Sequence, residues 1–163
     1  MHVFFEVLAA LLAAISLSFA LAHAAELPGK MRLDKERYFT VQTIYYPGFT
    51  IGGISELASI VAVLVLLLAT PYGSTEFWLV AGAVLALAVM QAIFWLITQP
   101  VNKFWLKDTD ISNAAEHFFR TGATETDPAS GWTVLRDRWE RSHVLRCIAA
   151  ILALVLLLVA VAR

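Results

Sequence analysis

Residues 142–162 read SHVLRCIAAILALVLLLVAVA, and this stretch decides the fold class. A bilayer core about 30 Å thick needs roughly 20 mostly apolar residues to be crossed by a helix. The stretch meets that requirement, and so do residues 3–24, 48–70 and 77–99. The sequence therefore predicts an all-α integral membrane four-helix bundle, organised as a single four-span domain over residues 1–163.

The composition agrees with a membrane protein and excludes two other classes. Of the 163 residues 60% are hydrophobic and 15% are charged, and the mean hydropathy is +0.72, which is too apolar for an ordinary soluble domain. The net charge of -1 and the lack of a basic run with interleaved aromatic residues exclude nucleic acid as a partner. The single cysteine, Cys147, can build neither a disulfide framework nor a thiolate metal cluster.

The first apolar stretch has a second interpretation, as a secretory signal peptide. Ala22-His23-Ala24 has the small-x-small pattern of a cleavage site that follows an apolar core. Against this interpretation, residues 1–5 contain no lysine or arginine, and Glu6 interrupts the run. We therefore expect a membrane span here.

Lysine and arginine are concentrated in the two long connections, and the short loop at residues 71–76 contains neither. The residues concerned are Lys30, Arg32, Lys35, Arg37, Lys103, Lys107, Arg120, Arg136, Arg138 and Arg141. By the positive-inside rule both long connections are cytoplasmic. The prediction is a multi-pass protein with both termini on the non-cytoplasmic side.

Both long connections mix aromatic and charged residues. Residues 27–46 predict a short amphipathic surface helix that ends before Pro47-Gly48. Residues 100–130 predict a second surface helix, with Phe104, Trp105, Phe118 and Phe119 at the headgroup level and Glu116-His117 on the solvated face. From about Trp132 we expect the fourth helix to begin outside the membrane.

Polar and small residues recur at helical spacing on one face of each span, as expected where a helix turns its polar side chains away from lipid. On span one these are His2, Glu6, Ala9, Ala13, Ser16, Ala20 and His23; on span two Gly52, Ser55, Glu56 and Ser59; on span three Gln91, Trp95, Thr98, Gln99 and Asn102; on span four Trp139, His143 and Arg146. We expect His2 and Glu6 to form a small interfacial cluster near Glu76, at the other end of the bundle.

The alternating directions of the spans predict one polar pocket in the cytoplasmic half. The candidate catalytic residues are His143, Arg146 and Glu56, because a histidine beside a carboxylate can act as a general base and a buried arginine can stabilise an anion. The candidate binding residues are His23, Gln91, Gln99, Asn102 and Trp139.

A metal site is a weaker alternative for the same region. Glu140-x-x-His143 has the spacing used in di-iron four-helix bundles, and His23-x-x-Glu26 inverts it. The full pattern needs two such motifs and two more carboxylates, so no metal is predicted. Glu140 is expected to face the headgroups beside Arg136 and Arg141.

Four segments carry a resemblance to a known family. They are His23-Ala-Ala-Glu-Leu-Pro-Gly-Lys-Met-Arg-Leu33, Tyr45-Tyr-Pro-Gly-Phe49, Gln99-Pro-Val-Asn102 and Trp139-Glu-Arg-Ser-His-Val-Leu-Arg146. In order and spacing the chain resembles the small four-helix bacterial membrane proteins grouped with the fungal anthrone oxygenases. The resemblance implies the four-helix fold and the inner (plasma) membrane of a bacterium.

For the characterised branch, the resemblance implies oxygen-dependent conversion of an anthrone to an anthraquinone, and it leaves the cofactor unknown. On this hypothesis His143 deprotonates the substrate, Arg146 and Asn102 hold the anion, and the carbanion reacts with oxygen directly. The expected partners are the lipid bilayer and a small aromatic or quinone-like molecule, with a homo-oligomer left open.

Two other functions compete with this hypothesis. In the first, the protein is a structural or accessory membrane protein whose polar core only fixes helix packing. In the second it is a proton-coupled carrier, which with four helices and no internal repeat would need an oligomer. An enzyme needs an accessible cavity, whereas a packing network should be closed and fully hydrogen-bonded.

Overall fold

The computed structural model describes residues 2–45, 47–105 and 131–163, with only the backbone described for residues 103–105. The helices are α1 (His2–Lys30), α2 (Lys35–Gln42), a 3₁₀ turn (Thr43–Tyr45), α3 (Gly48–Ala69), α4 (Thr75–Ile93), a π-helical turn (Phe94–Thr98), α5 (Gln99–Trp105) and α6 (Trp132–Val161). The predicted second surface helix lies mostly in residues 106–130, outside the described residues.

Four of the helical stretches are long and apolar enough to cross a membrane: His2–Lys30, Gly48–Ala69, Thr75–Asn102 and Trp132–Val161. Their outward faces carry exposed large apolar side chains, such as Leu68, Leu85 and Leu96. Because such faces are stable only against lipid, the chain is an all-α multi-pass membrane protein, as predicted.

The contacts between the helices define the arrangement of the bundle. α1 packs against α3 and α6, and α4 packs against α6 and less extensively against α3. The ends of α1 and the starts of α3 and α6 lie together at what we call the Lys30 end. The short turn around Gly73, where φ is +82°, marks the opposite end.

Small residues line the helix interfaces, which lets the backbones approach closely in the absence of a hydrophobic driving force within lipid. The predicted inward stripe of α1 is buried from Ala9 through Ser16 to His23. The Ser16 hydroxyl lies 3.4 Å from both Ser55 Oγ and Ser59 Oγ of α3. The first residues of the stripe leave this interface, since His2 is exposed and its Nδ1 lies 3.1 Å from Glu6 Oε1.

The first connection contains the predicted amphipathic helix. The Asp34 carboxylate caps α2 by accepting a hydrogen bond from Arg37 N at 2.9 Å. α2 buries Tyr38 and Gln42 and exposes its charged first turn. It therefore lies across the Lys30 end, with its apolar face turned toward the bundle.

Candidate functional site

A cavity of about 50 Å³ lies between the four helices near the Lys30 end. Its polar lining includes His23, Glu56, Asn102, His143 and Arg146, the residues that the sequence predicted to converge. The volume accommodates a few water molecules. The aromatic part of the lining comprises Phe19, Tyr45, Phe49, Phe94 and Trp139.

Two histidines stack at the centre of this site. The ring centroids of His23 and His143 are 4.0 Å apart. His23 also contacts Phe49 at 4.4 Å and Tyr45 at 4.6 Å, and His143 contacts Trp139 at 4.1 Å. The aromatic neighbours hold both imidazole rings in fixed orientations.

Arg146 connects the histidines to Glu56. Its Nη2 donates a hydrogen bond to Glu56 Oε1, and its Nη1 lies 3.3 Å from His143 Nδ1. The guanidinium also lies over the Phe94 ring, 5.1 Å from its centroid. Arg146 and Glu56 are each 5% exposed, so this ion pair is buried.

The contact with Arg146 fixes the tautomer of His143. A guanidinium can only donate, so His143 Nδ1 must accept and the neutral ring must carry its proton on Nε2. His143 Nε2 has no hydrogen-bond partner, and neither does His23 Nδ1. The site therefore presents an unused N–H donor on one histidine and an unused nitrogen on the other.

A second set of hydrogen bonds orients Asn102. The Trp139 indole Nε1 donates to Asn102 Oδ1 at 2.6 Å, and Asn102 Nδ2 donates to Gln99 Oε1 at 3.4 Å. The neighbouring Thr98 and Ser142 hydroxyls lie 2.9 Å apart and join the π-helical turn to α6. Gln99 is thus buried behind Asn102 rather than in the cavity lining.

The predicted inward face of span three was wrong in part. Trp95 is 45% exposed, and Phe94 is buried in its place. Gln91 is half-buried and does not line the cavity. Met90 and Phe94 continue the buried face of α4, one residue away from the predicted Gln91 and Trp95, whereas the predicted Thr98, Gln99 and Asn102 are buried.

A charged cluster of four buried residues and the partly exposed Glu26 lies beside the cavity at the Lys30 end. We call Glu26, Lys30, Tyr38, Tyr45 and Glu140 the cap cluster. Lys30 Nζ lies 3.1 Å from Glu140 Oε1 and 3.6 Å from Glu26 Oε2. The Tyr38 hydroxyl donates to Glu140 Oε1 at 2.8 Å, and the Tyr45 hydroxyl donates to Glu26 Oε2.

The cap cluster corrects the expectation that Glu140 faces the headgroups. Glu140 is 1% exposed and Lys30 is 3% exposed. A buried charge is costly unless it is paired, so each of these residues stabilises the other. Lys30 Nζ also lies 4.7 Å from the centroid of the Trp139 ring, which links the cluster to the cavity wall.

The two tyrosines of the cap cluster keep their protons. Burial, and then the charge of Glu140, raises the pKa of Tyr38 far above its usual value. Burial, and then the hydrogen bond to Glu26, raises the pKa of Tyr45 in the same direction. Both hydroxyls therefore act as donors throughout the physiological pH range.

Of the candidate metal ligands only His23 and His143 lie against each other. Within residues 2–45, 47–105 and 131–163 no group of three histidine, cysteine or acidic side chains is placed to hold a metal ion. Glu26 and Glu140 are instead engaged with Lys30 and the two tyrosines.

Sequence reasoning missed Lys30 and most of the aromatic lining. Phe19 precedes His23 by one helical turn, and Phe49 precedes Glu56 by two, so both share the buried face that was recognised from polar residues alone. The signal for Phe19 and Phe49 was an aromatic residue that lies one or two helical turns before a buried polar residue.

We expect Tyr38→Phe to destabilise the protein by about 1–3 kcal/mol, because a buried carboxylate loses a hydrogen bond. The measurement is a denaturant titration of the purified protein in mild detergent. Tyr72→Phe is the matched control, since Tyr72 is 83% exposed. Equal stability of the two variants would contradict the role given to the Tyr38 hydroxyl.

Comparison with protein families gives one match. The sequence model of a family described as anthrone oxygenase matches residues 41–156, which is more than half of the chain. The matched segment includes Glu56, Asn102, His143 and Arg146, while His23 and Lys30 precede it. Neither a curated protein nor a solved structure matches the chain.

Proposed function

Because the chain belongs to the anthrone oxygenase family, we propose that it is a membrane enzyme that oxidises an anthrone, or a related tricyclic phenol, to a quinone with molecular oxygen. The observation that carries the proposal is the pair of stacked histidines with unpartnered nitrogens in an aromatic-lined cavity. The aromatic side chains can stack on a flat aromatic substrate, and the unpartnered nitrogens can form hydrogen bonds with its oxygen-bearing groups.

The proposed reaction balances with oxygen as the oxidant. A base removes a proton from the methylene carbon of the anthrone, and the resulting carbanion is also an enolate. Oxygen takes the electron pair and forms a C–O bond, and the resulting peroxide anion takes the first proton back from the base to give a hydroperoxide. Loss of the second proton from that carbon breaks the O–O bond and expels hydroxide, which that proton converts to water. One anthrone and one oxygen molecule therefore yield one quinone and one water.

The hydrogen bonds favour a particular division of roles. His143 presents Nε2–H, because Arg146 occupies its Nδ1, so His143 is suited to donate to the enolate oxygen. His23 has an unpartnered Nδ1 and is suited to accept the substrate proton. In this proposal the base is His23, whereas the sequence had suggested His143.

Arg146 and Asn102 complete the proposed anion site. Arg146 carries a positive charge at the cavity, and its Nε has no hydrogen-bond partner. Asn102 is held by Trp139 through its amide oxygen, which leaves its amide N–H groups for Gln99 and the substrate. Glu56 balances the charge of Arg146 and fixes its direction.

The cavity must widen to take three fused rings, since about 50 Å³ holds only a few waters. The side chains of Phe19, Phe49 and Phe94 form part of its wall. We propose that substrate binding displaces one or more of these rings while the hydrogen-bonded histidine and arginine groups stay in place.

The packing-only alternative fits the site less well. A network that serves only to fix helix register should leave few buried polar atoms unpaired. Here His23 Nδ1, His143 Nε2 and Arg146 Nε are all unpartnered and belong to residues that line one cavity. This favours a binding site over a purely structural network.

We further propose the inner membrane of a bacterium as the location, with both termini on the non-cytoplasmic side. The support is the concentration of lysine and arginine at the Lys30 end and in the connection between α4 and α6. A carboxy-terminal reporter active only outside the cytoplasm would test the orientation.

The proposed activity is tested by reconstituting the purified protein in phosphatidylcholine vesicles and adding 1,8-dihydroxyanthrone. We expect quinone formation faster than in protein-free vesicles, with one oxygen molecule consumed per quinone, measured by absorbance and an oxygen electrode. A rate equal to that of the protein-free vesicles for several hydroxyanthrones would overturn the proposal.

A further inference from the structure

Lys30 is a buried cation that the proposed reaction does not use. Its Nζ lies 3.1 Å from Glu140 Oε1 and 3.6 Å from Glu26 Oε2. Burying an ammonium group costs free energy even when it is paired. A lysine at the end of a membrane span can ordinarily reach water instead. The burial of Lys30 therefore needs an explanation from its neighbours.

Two aromatic rings of the cavity wall share this ammonium group. Lys30 Nζ lies over the Trp139 ring, 4.7 Å from its centroid, and over the Tyr45 ring, 5.4 Å from its centroid. Both distances are within the range of about 6 Å for a cation–π contact, which is strongest where water is excluded. Trp139 and Tyr45 are each 3% exposed. Lys30 thus attracts a ring of α6 and a ring of the 3₁₀ turn at the same time.

Each of these rings contacts one of the two stacked histidines. The Trp139 centroid lies 4.1 Å from that of His143, and the Tyr45 centroid lies 4.6 Å from that of His23. In a close-packed interior, a rotation of either ring would also shift the imidazole against it. The ammonium group of Lys30 is therefore one contact away from both imidazoles.

Trp139 also sets the orientation of Asn102. An indole N–H can only donate, so the amide oxygen of Asn102 must face Trp139 Nε1, which lies 2.6 Å from it. The amide nitrogen consequently faces away from Trp139, 3.4 Å from Gln99 Oε1, and Asn102 lines the cavity. If the indole turned away, the amide could flip and present its oxygen, which would repel an anion in the cavity.

We infer that Lys30 is a positioning residue of the cavity. Its ammonium group fixes the Trp139 ring, and Trp139 in turn keeps the amide N–H of Asn102 available to an anionic oxygen. That this oxygen belongs to an enolate rests on the proposed function. Lys30 precedes residues 41–156, which the family model matches, so the role is inferred from the contacts alone.

The contact between Lys30 and Trp139 is tested first without substrate, by proton–nitrogen NMR of the indole N–H groups in detergent micelles. Trp139→Phe identifies the Trp139 signal. The test variant combines Lys30→Met with Glu140→Gln, which leaves no buried carboxylate unpaired at position 140. We expect its Trp139 N–H to exchange with solvent about tenfold faster than in the wild type, because the indole opens more often. An unchanged exchange rate would overturn the inference.

Two controls and a measurement on the wild type accompany this test. Lys30→Arg should exchange like the wild type, since arginine also forms cation–π contacts. Lys35→Met should do so as well, because Lys35 is an exposed lysine whose Nζ lies 5.8 Å from the centroid of the Phe39 ring. In the wild type, ring currents should move the ε-methylene protons of Lys30 to high field. An ordinary shift for these protons would also overturn the inference, whether or not the double variant folds.

The consequence for catalysis is measured in phosphatidylcholine vesicles with 1,8-dihydroxyanthrone. Trp139→Phe should lower kcat about tenfold with little change in KM, because the Asn102 donor acts on the anion of the transition state. It should lower kcat no further once Asn102→Ala is present, whereas full additivity of the two substitutions would overturn the inference. If the wild type oxidises no anthrone, the proposed function fails, and the NMR measurements decide the role of Lys30.

Discussion

Replacing His23 by Gln is expected to lower the rate of anthrone oxidation in vesicles by about 10²–10⁴-fold, the usual contribution of a general base. Glutamine fills similar space but cannot accept a proton. The rate is measured as quinone absorbance at saturating oxygen. His2→Gln is the matched control on the same helix, because His2 is exposed at the opposite end of α1, and it should leave the rate unchanged.

The same substitution at His143 should lower the rate of anthrone oxidation far less. A glutamine there can accept from Arg146 through its amide oxygen and donate to the substrate through its amide nitrogen, which reproduces the two roles of the Nε2–H tautomer. We expect His143→Gln to retain much of the activity that His143→Ala loses. An active His23→Gln variant beside an inactive His143→Gln variant would return the base to His143.

The polar residues of the site could be predicted because lipid imposes a strict rule. An ionisable side chain in a span must face the bundle, so the spacing of Ser16 and His23 on one helix, and of His143 and Arg146 on another, was enough to place them inside. Four long apolar stretches left little choice of fold class.

The cap cluster could not be predicted by the same rule. Lys30 and Glu140 lie near the ends of the predicted spans, where charged residues ordinarily reach water, and the positive-inside rule counts them as surface residues. Their burial depends on α2 folding back over the helix ends with Tyr38 turned inward. That is a tertiary contact between residues about a hundred positions apart.

The first half of the inward face of the third span was predicted one residue away from its true position, whereas Thr98, Gln99 and Asn102 are buried as predicted. The polar residues Gln91 and Asn102 suggested a face that includes Trp95, whereas Met90 and Phe94 form the buried one. The π-helical turn at Phe94–Thr98 adds a residue to that turn, so a regular helical spacing cannot hold through it. Phe94, at the start of this turn, lines the cavity and lies against the Arg146 guanidinium.

Glu56→Gln should destabilise the protein by about 3–5 kcal/mol, because it leaves the buried Arg146 guanidinium without its counter-charge. The measurement is reversible unfolding by a denaturing detergent, followed by circular dichroism. Glu36→Gln, on the exposed face of α2, is the matched control and should unfold like the wild type.

A double-mutant cycle separates the pair from its surroundings. Arg146→Met alone should also lower the stability, because it leaves the buried Glu56 carboxylate without its counter-charge. Combining Glu56→Met with Arg146→Met should recover most of the lost stability. Recovery of stability without recovery of anthrone oxidation would show that the pair is kept for the charge it presents to the cavity, since well-packed apolar residues can replace a buried ion pair in folding. If the double variant stays as unstable as the single ones, the pair instead holds α3 to α6, and the proposed anion site loses its main support.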